Sequence, residues 1–201
     1  MSRLEPEFLS WLRSEEQQQP NFLGPFDDDS AALKVDSPNI ITSTDMFIEG
    51  IHFDFKYWTS LEDIGYKAVV HSVSDVYSKL VYPEAILVNA CFAKNLDFTS
   101  IKNIYLGIFE ALKQYNLKLV GGDFNSGTKE TFLAITSLGQ SDGWYSLGGA
   151  KAGDSIFVER GVGYSSLGLR ALQKQVQIAP LFTQLFFRPQ LDLDLITNIR
   201  R

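Results

Sequence analysis

One segment constrains the fold of this chain more than any other: an apolar run that leads into a long amphipathic stretch. Residues 85–92 (AILVNACF) are almost continuously apolar, which is typical of a strand buried on both faces. Residues 97–115 place their apolar side chains at helical spacing on one face. A buried strand beside a one-sided helix requires a sheet with helices packed on it, so the sequence predicts an α+β or α/β fold.

The remaining segments alternate in the same way between helical and strand patterns. Periodicity and capping residues predict helices, and turn residues separate them from short β-branched or apolar runs that predict strands. The further predicted helices are 5–15, 61–80 with Ser60 as N-cap, and 165–173, and the further predicted strands are 31–35, 40–44, 117–120, 131–139 and 155–158.

Composition excludes several classes of protein. The 201 residues carry 18 Lys and Arg against 24 Asp and Glu, a net charge of −6, and no basic cluster, so no nucleic-acid partner is expected. No apolar run approaches the length of a membrane span, and the N-terminus lacks the apolar core of a signal peptide, so we expect a cytoplasmic protein without a membrane partner. The single cysteine, Cys91, excludes an internal disulfide framework.

Acidic residues occupy positions where a solvated surface would not require them. They are the triplet Asp27–Asp29, Asp45, Asp75 and Asp123. Asp45 and Asp123 follow predicted strands, and two glycines before Asp123 permit a close backbone approach to a ligand. Asp75 falls on the apolar side of its predicted helix, where a lone carboxylate needs a partner. Each acid taken alone could equally be part of a solvated turn, a helix cap or a salt bridge.

Taken together, these acids predict an oxygen-rich cation site. Carboxylates, phosphate oxygens and water are the ligands that Mg²⁺ prefers, and Thr44 could add a hydroxyl oxygen. His52 could approach a phosphate, although a lone histidine is more often an ordinary surface or core residue. The sequence contains no Gly-x4-Gly-Lys-Ser/Thr pattern, which excludes a P-loop kinase.

Several segments, in this order, resemble motifs of the thiamine-monophosphate kinase family. DDDSAAL at 27–33 resembles its Gly-Asp-Asp-x-Ala motif, and STDMFIEGIHF at 43–53 resembles its Thr-Thr-Asp-Met-x-Val-Glu-Gly-Val-His-Phe segment. DIGYKAVVHSVSD at 63–75 resembles its Asp-Leu-Gly-x-Lys-Ala-x-Ala-x-Asn-x-Ser-Asp helix. VGGD at 120–123 resembles its Gly-Gly-Asp-Thr motif, and residues 149–158 resemble the start of its second domain.

The resemblance implies a fold and an activity. It implies an α+β fold in which residues 1–140 form an aminoimidazole ribonucleotide synthetase-like domain. The mixed or antiparallel sheet of that domain is covered by helices and mediates homodimerisation. Residues 148–201 would begin a second α/β domain. The implied reaction is direct transfer of the ATP γ-phosphoryl group to thiamine phosphate, with Mg²⁺ as cofactor and no covalent intermediate.

The resemblance also implies individual roles, residue by residue. The implied Mg²⁺ ligands are Asp28, Ser43, Thr44, Asp45, Asp75 and Asp123. Tyr105, Gly122 and Asp123 would contact ATP, and His52 would lie near thiamine phosphate. Cations gathered at such a site would shield the phosphate charges that must approach one another.

The chain also departs from the family pattern. Asp27 replaces the motif glycine, Leu147 replaces an arginine that touches ATP, and Tyr164 replaces an aspartate. Bulky residues fill 76–81 where the family has small ones, and the chain ends at Arg201, before the family's later Asp-x-Ser-Asp-Gly motif. These departures leave an alternative open: a catalytically impaired relative that binds a nucleotide or phosphate, or a dimeric interaction module.

Overall fold

The fold is a four-stranded mixed sheet with helices packed on one of its faces. The computed structural model describes residues 4–16, 36, 39–58, 60–145, 150–158 and 161–200. The strands are β1 (Asn39–Ile48), β2 (Pro83–Ala93), β3 (Lys118–Thr128) and β4 (Phe132–Ser141). The helices are α1 (Leu4–Glu16), α2 (Leu61–Ser78), α3 (Phe98–Tyr115), α4 (Tyr164–Lys174), α5 (Pro180–Phe187) and α6 (Asp194–Arg200).

The order of the strands separates elements that are close in sequence. The order across the sheet is β1-β4-β2-β3. Strand β4 is antiparallel to both β1 and β2, whereas β2 and β3 are parallel and are joined through α3. A parallel pair requires such a crossover, because a tight turn reverses the chain. Strands β1 and β3 therefore form the two opposite edges, and the predicted α+β fold with a mixed sheet is confirmed.

The two faces of the sheet differ in what covers them. Along β4, Leu133, Ile135 and Ser137 are buried beneath the helices, whereas the residues between them are only half-buried. Successive strand residues point to opposite faces, so this alternation assigns the helices to one face. On the other face, here called the open face, Ile40 and Met46 are 51% and 46% exposed. None of the described helices covers the open face.

The position of helix α2 on the sheet is set by a close glycine contact with α3 and by hydrogen bonds of buried hydroxyl groups. A Cβ atom on Gly65 would lie 1.8 Å from the carbonyl oxygen of Ile104 in α3, so the two helices cross with their backbones nearly touching. On the sheet side, Ser72 Oγ donates to the carbonyl of Ile135 at 2.9 Å, and Ser137 Oγ donates to the carbonyl of Ser72 at 3.0 Å. These contacts set the position of α2 over β4 and its neighbours.

The C-terminal helices are anchored on α2 and α3. Arg188 binds the carboxylates of Asp63 in α2 and Glu110 in α3. Phe186 of α5 packs against Trp58, with ring centroids 5.1 Å apart. The predicted division into domains at 1–140 and 148–201 stays a prediction. No described helix is long and apolar enough to cross a membrane.

Most of the predicted elements are present, with three corrections. The helix predictions are confirmed, and Ser60 caps α2 by accepting a hydrogen bond from the Asp63 amide at 3.3 Å. The strand predicted at 155–158 is wrong, because these residues form no ladder and Ile156 is 93% exposed. The strands predicted at 40–44 and 117–120 end too early. The ladders continue through Asp45 opposite Ile135 and through Asp123 opposite Asn89, so both acids lie inside strands.

Three further elements remain, one predicted strand and two helices. The strand predicted at 31–35 lies outside the residues that the structure describes. Helices α5 and α6 were not predicted, because residues 180–201 mix apolar and acidic residues without a clear helical period.

The glycine at the helix crossing can be tested directly. We expect Gly65→Ala to lower the free energy of unfolding by about 1–3 kcal/mol, because the added methyl group overlaps a backbone carbonyl. Intrinsic helix propensity alone would give the opposite sign, by about 1 kcal/mol. Urea unfolding measures the change. The control is Gly143→Ala, where a Cβ meets nothing within 4 Å; a stabilised Gly65→Ala protein would contradict the crossing.

Candidate functional site

The first set of predicted site residues lies where β1 passes the C-terminal half of α2. Ser43 and Asp45 alternate with Thr44, so both point to the helix-covered face of the sheet. Ser43 Oγ donates to Asp75 Oδ2 at 2.7 Å, which joins the strand to the helix. We call Ser43, Asp45, Asp75 and the nearby His52 the β1 group. Asp75 is exposed at the rim of α2, so its predicted burial on the apolar face is wrong.

Within the β1 group, Asp45 carries an oxygen atom that lacks a hydrogen-bond partner among the described residues. Its Oδ2 atom is buried and has no hydrogen-bond partner. Burial raises the pKa of Asp45, and repulsion from the Asp75 carboxylate raises it further, while His71 and His52 partly oppose the shift. Buried polar atoms are nearly always paired, so a buried carboxylate oxygen with no partner among the described residues is open to a proton or a cation. Two carboxylates and a hydroxyl fit the oxygen ligands of Mg²⁺.

His52 is held as a neutral donor beside these carboxylates. The Ile48 amide donates to His52 Nδ1 at 3.0 Å, so Nδ1 carries no proton and the ring proton is on Nε2. Burial lowers the pKa of His52, and the positive charges of His71 and Lys67 lower it further. The His52 ring lies 5.7 Å from Phe47 and 5.9 Å from His71, measured between centroids. His52 therefore presents a neutral Nε2–H group to a ligand.

Thr44 lies apart from the β1 group although it is adjacent in sequence. Its Oγ1 atom is 2.8 Å from Oγ1 of Thr136 in β4, on the open face. Strand alternation thus directs the hydroxyl of Thr44 away from the face that Asp45 occupies. A role for Thr44 as a metal ligand stays a prediction.

The second set of predicted site residues lies at the opposite edge of the sheet. We call Tyr105, Gly122 and Asp123 the β3 group. Asp123 accepts from the Phe124 amide at 3.0 Å and from Asn125 Nδ2 at 2.7 Å. A Cβ on Gly122 would lie 1.9 Å from the Val88 carbonyl oxygen, so the close pairing of β3 with β2 requires glycine. Tyr105 is buried, and burial together with the Asp123 charge raises its pKa, so it stays a neutral hydroxyl.

The two groups do not meet within one chain. Strands β4 and β2 lie between β1 and β3, and three strand spacings amount to roughly 14 Å. Consistently, the described residues contain no group of three or more His, Cys, Asp or Glu side chains that could hold a metal ion. The structure brings Asp45 and Asp75 together and leaves Asp123 at the other edge. Asp28 and Leu147 lie outside the described residues.

The sequence reasoning missed two residues of this region, Lys67 and His71. Both lie on α2, eight and four residues before Asp75 respectively, so all three side chains share one helical face. That spacing was available as a signal in the sequence.

The comparisons with known proteins identify the family. The model of the AIR synthase related protein, N-terminal domain, matches residues 27–141. This is more than half of the chain, and the chain therefore belongs to the AIR synthase related family.

The curated proteins that match this chain include several thiamine-monophosphate kinases. The Corynebacterium glutamicum enzyme is 33% identical over 73% of this chain and 45% of its own length. The Prochlorococcus marinus enzyme is 35% identical over 74% of this chain and 45% of its own length. These matches confirm the resemblance drawn from the motifs. The chain spans about half the length of the curated relatives it matches.

Solved structures share the fold at lower identity. Thiamine monophosphate kinase from Aquifex aeolicus has a TM-score of 0.75 at 23% identity, covering 94% of this chain and 62% of that chain. The structure of AaThiL complexed with AMPPCP and TMP has a TM-score of 0.75 at 24% identity, covering 95% and 62%. Hydrogenase maturation protein HypE has a TM-score of 0.65 at 20% identity, covering 83% and 56%. These similarities establish the fold.

The Asp45 carboxylate should lower the stability of the metal-free protein while it supports Mg²⁺ binding, and both effects can be measured. We expect Asp45→Asn to raise the Tm of the metal-free protein, because it removes a buried charge and its repulsion from Asp75. Mg²⁺ should raise the Tm of the wild-type protein but not that of the variant. Differential scanning fluorimetry measures both effects. The matched control is Asp123→Asn, whose carboxylate already accepts two hydrogen bonds and whose loss should not stabilise. A lowered Tm for Asp45→Asn would contradict the assignment.

Proposed function

We propose that this chain carries the ATP- and Mg²⁺-binding part of a cytoplasmic phosphotransferase of the thiamine-monophosphate kinase type. The reaction transfers the γ-phosphoryl group of ATP to thiamine phosphate and yields thiamine diphosphate. The observation that carries the proposal is the buried, unpartnered Oδ2 of Asp45 beside the Asp75 carboxylate. The curated relatives at about 30% identity support the substrate class.

The proposed mechanism assigns a separate task to each side chain. Asp45 and Asp75 would hold Mg²⁺, which supplies charge neutralisation for the transferring phosphoryl group. Ser43 orients the Asp75 carboxylate through its hydrogen bond. His52 donates a hydrogen bond from its neutral Nε2–H group to a phosphate oxygen of the acceptor, so it adds no charge of its own. Positioning and electrostatics carry the catalysis, and no side chain forms a bond to phosphorus.

The separation of the β1 and β3 groups leads to the proposed homodimer. Two open faces that pack together around a two-fold axis parallel to the strands place the β1 edge of one subunit over the β3 edge of the other. The partner's Asp123 would then lie at the β1 edge and would reach Asp45 and Asp75 around that edge, because Asp45 points to the helix-covered face and not into the interface. The exposed apolar residues Ile40 and Met46 of the open face support this packing, because they gain burial from it.

A second candidate is a binding module without kinase activity. The ring of Tyr164, which replaces the family's aspartate, packs on Phe182 with centroids 5.2 Å apart, so an aromatic contact occupies the start of α4. Such a chain would bind Mg-ATP through Asp45 and Asp75 but form no thiamine diphosphate.

The activity and the binding are tested together. We expect purified protein with Mg-ATP and thiamine phosphate to form thiamine diphosphate, measured by chromatography of the product. Isothermal titration should show Mg²⁺-dependent ATP binding that Asp45→Asn or Asp75→Asn weakens about tenfold or more, the loss expected for one charge-assisted contact. Exposed Asp142→Asn is the control. ATP binding without product would favour the binding module, and absence of Mg²⁺-dependent ATP binding would refute both candidates.

The shared site predicts complementation between inactive variants. A heterodimer of Asp45→Asn and Asp123→Asn subunits contains one site with both substitutions and one intact site, provided that each site uses both subunits. Free exchange of subunits yields heterodimers as about half of all dimers, and each heterodimer should regain ATP binding at one of its two sites. Titration of the mixture, after exchange is verified by sedimentation, measures the recovery. No recovery on mixing would place all ligands in one subunit.

A further inference from the structure

A lysine in the middle of α2 lies in an environment that supplies it with no anion. Lys67 Nζ lies 3.6 Å from the ring centroid of Phe186 and 5.2 Å from that of Trp58. Aromatic rings stabilise an ammonium group through their electron-rich faces, but they accept no strong hydrogen bond. No described carboxylate pairs with Lys67, and burial lowers its pKa to about 8. The ammonium therefore keeps unused donors.

A second unused donor lies beside it. Trp58 is 5% exposed, and its Nε1 atom is buried without a hydrogen-bond partner. An indole N–H is only a donor, so leaving it unpaired in the interior costs free energy. Trp58 and Lys67 are thus two adjacent donors, one of them charged, with no described acceptor between them. A ligand that supplies acceptor oxygens would satisfy both.

The lysine belongs to a line of polar side chains that leads to the β1 group. Lys67, His71 and Asp75 follow one another at intervals of four residues on the same face of α2. The charge of Lys67 acts on His52, whose ring lies 5.9 Å from that of His71. The line thus runs from an ammonium, past two imidazoles, to the carboxylates. Its two ends are roughly 12 Å apart along the helix axis.

The two ends of this line of side chains favour ligands of opposite charge. The carboxylate end favours a cation, whereas the Lys67 end offers donors to an anion. A phosphate monoester suits the Lys67 end, because its oxygens accept from ammonium, indole and imidazole donors at once. Lys67 is half-buried, with the ring of Phe186 as one wall, so the position is shielded but not closed.

We infer that Lys67, Trp58 Nε1 and His71 form an oxyanion subsite on α2 that holds the phosphate group of the phosphoryl acceptor on the same helical face as Asp75, one to about two turns from the Asp45 and Asp75 cation site. The inference rests on the proposed function for the identity of the acceptor, thiamine phosphate. The subsite makes Lys67 a specificity residue, which selects a phosphorylated acceptor over the unphosphorylated alcohol.

Inorganic phosphate is the probe for the subsite itself. We expect saturable phosphate binding by the full chain, followed by isothermal titration, and about tenfold weaker binding for Lys67→Met, which keeps the side-chain volume. Lys67→Arg should restore binding, because it restores the charge. Trp58→Phe removes the indole donor and keeps a smaller aromatic ring at this buried position, and it should weaken binding about threefold. The matched control is Lys102→Met, a half-buried lysine that lies 5.3 Å from the Trp11 ring centroid on α3.

The outcomes separate the subsite from the proposed function. Equal phosphate binding by wild type, Lys67→Met and Trp58→Phe would overturn the subsite, even if the protein forms thiamine diphosphate. If phosphate binding depends on Lys67 but no thiamine diphosphate forms, the subsite stands and the proposed reaction fails. If the protein is active, Lys67→Met should raise KM for thiamine phosphate about tenfold with little change in KM for ATP. An unchanged KM for thiamine phosphate would contradict the role of Lys67.

Discussion

The near-contact of α2 and α3 at Gly65 is the constraint on which the site depends. Because no side chain separates the two backbones there, α2 and α3 pack in direct backbone contact, and Ser72 and Ser137 fix the position of α2 along β4. The same helix then presents Asp75 to Ser43 and Lys67 to Trp58. A larger residue at the crossing would therefore displace both Lys67, two residues along the helix, and Asp75, ten residues along it.

Strand order explains why chemically related residues stand apart. A chain that ran its strands in sequence order would bring Asp45 and Asp123 nearer to each other. Insertion of β4 and β2 between β1 and β3 leaves a carboxylate pair at one edge and the Asp123 group at the other.

Features that depend on residues close together in sequence could be predicted, whereas features that depend on distant partners could not. Helical periodicity and the Ser60 cap set the helices, since those signals involve residues a few positions apart. The C-terminal ends of β1 and β3 could not be predicted, because their ladders depend on partners distant in sequence. In β3, two glycines that resemble the end of a strand lie within the ladder, near a register shift. The candidate acids were found by motif, whereas Lys67 required the packing of Trp58 and Phe186 around it.

The anchoring of the C-terminal helices by Arg188 has a consequence for the order of folding. Its bonds to Asp63 and Glu110 join residues 125 and 78 positions apart in sequence, so they close large loops for few contacts. Closing a long loop is entropically costly until its docking surface exists, and that surface is the finished pair of α2 and α3. During synthesis, the sheet and its two long helices would thus assemble first, and α5 would dock afterwards as a separate, more readily opened unit.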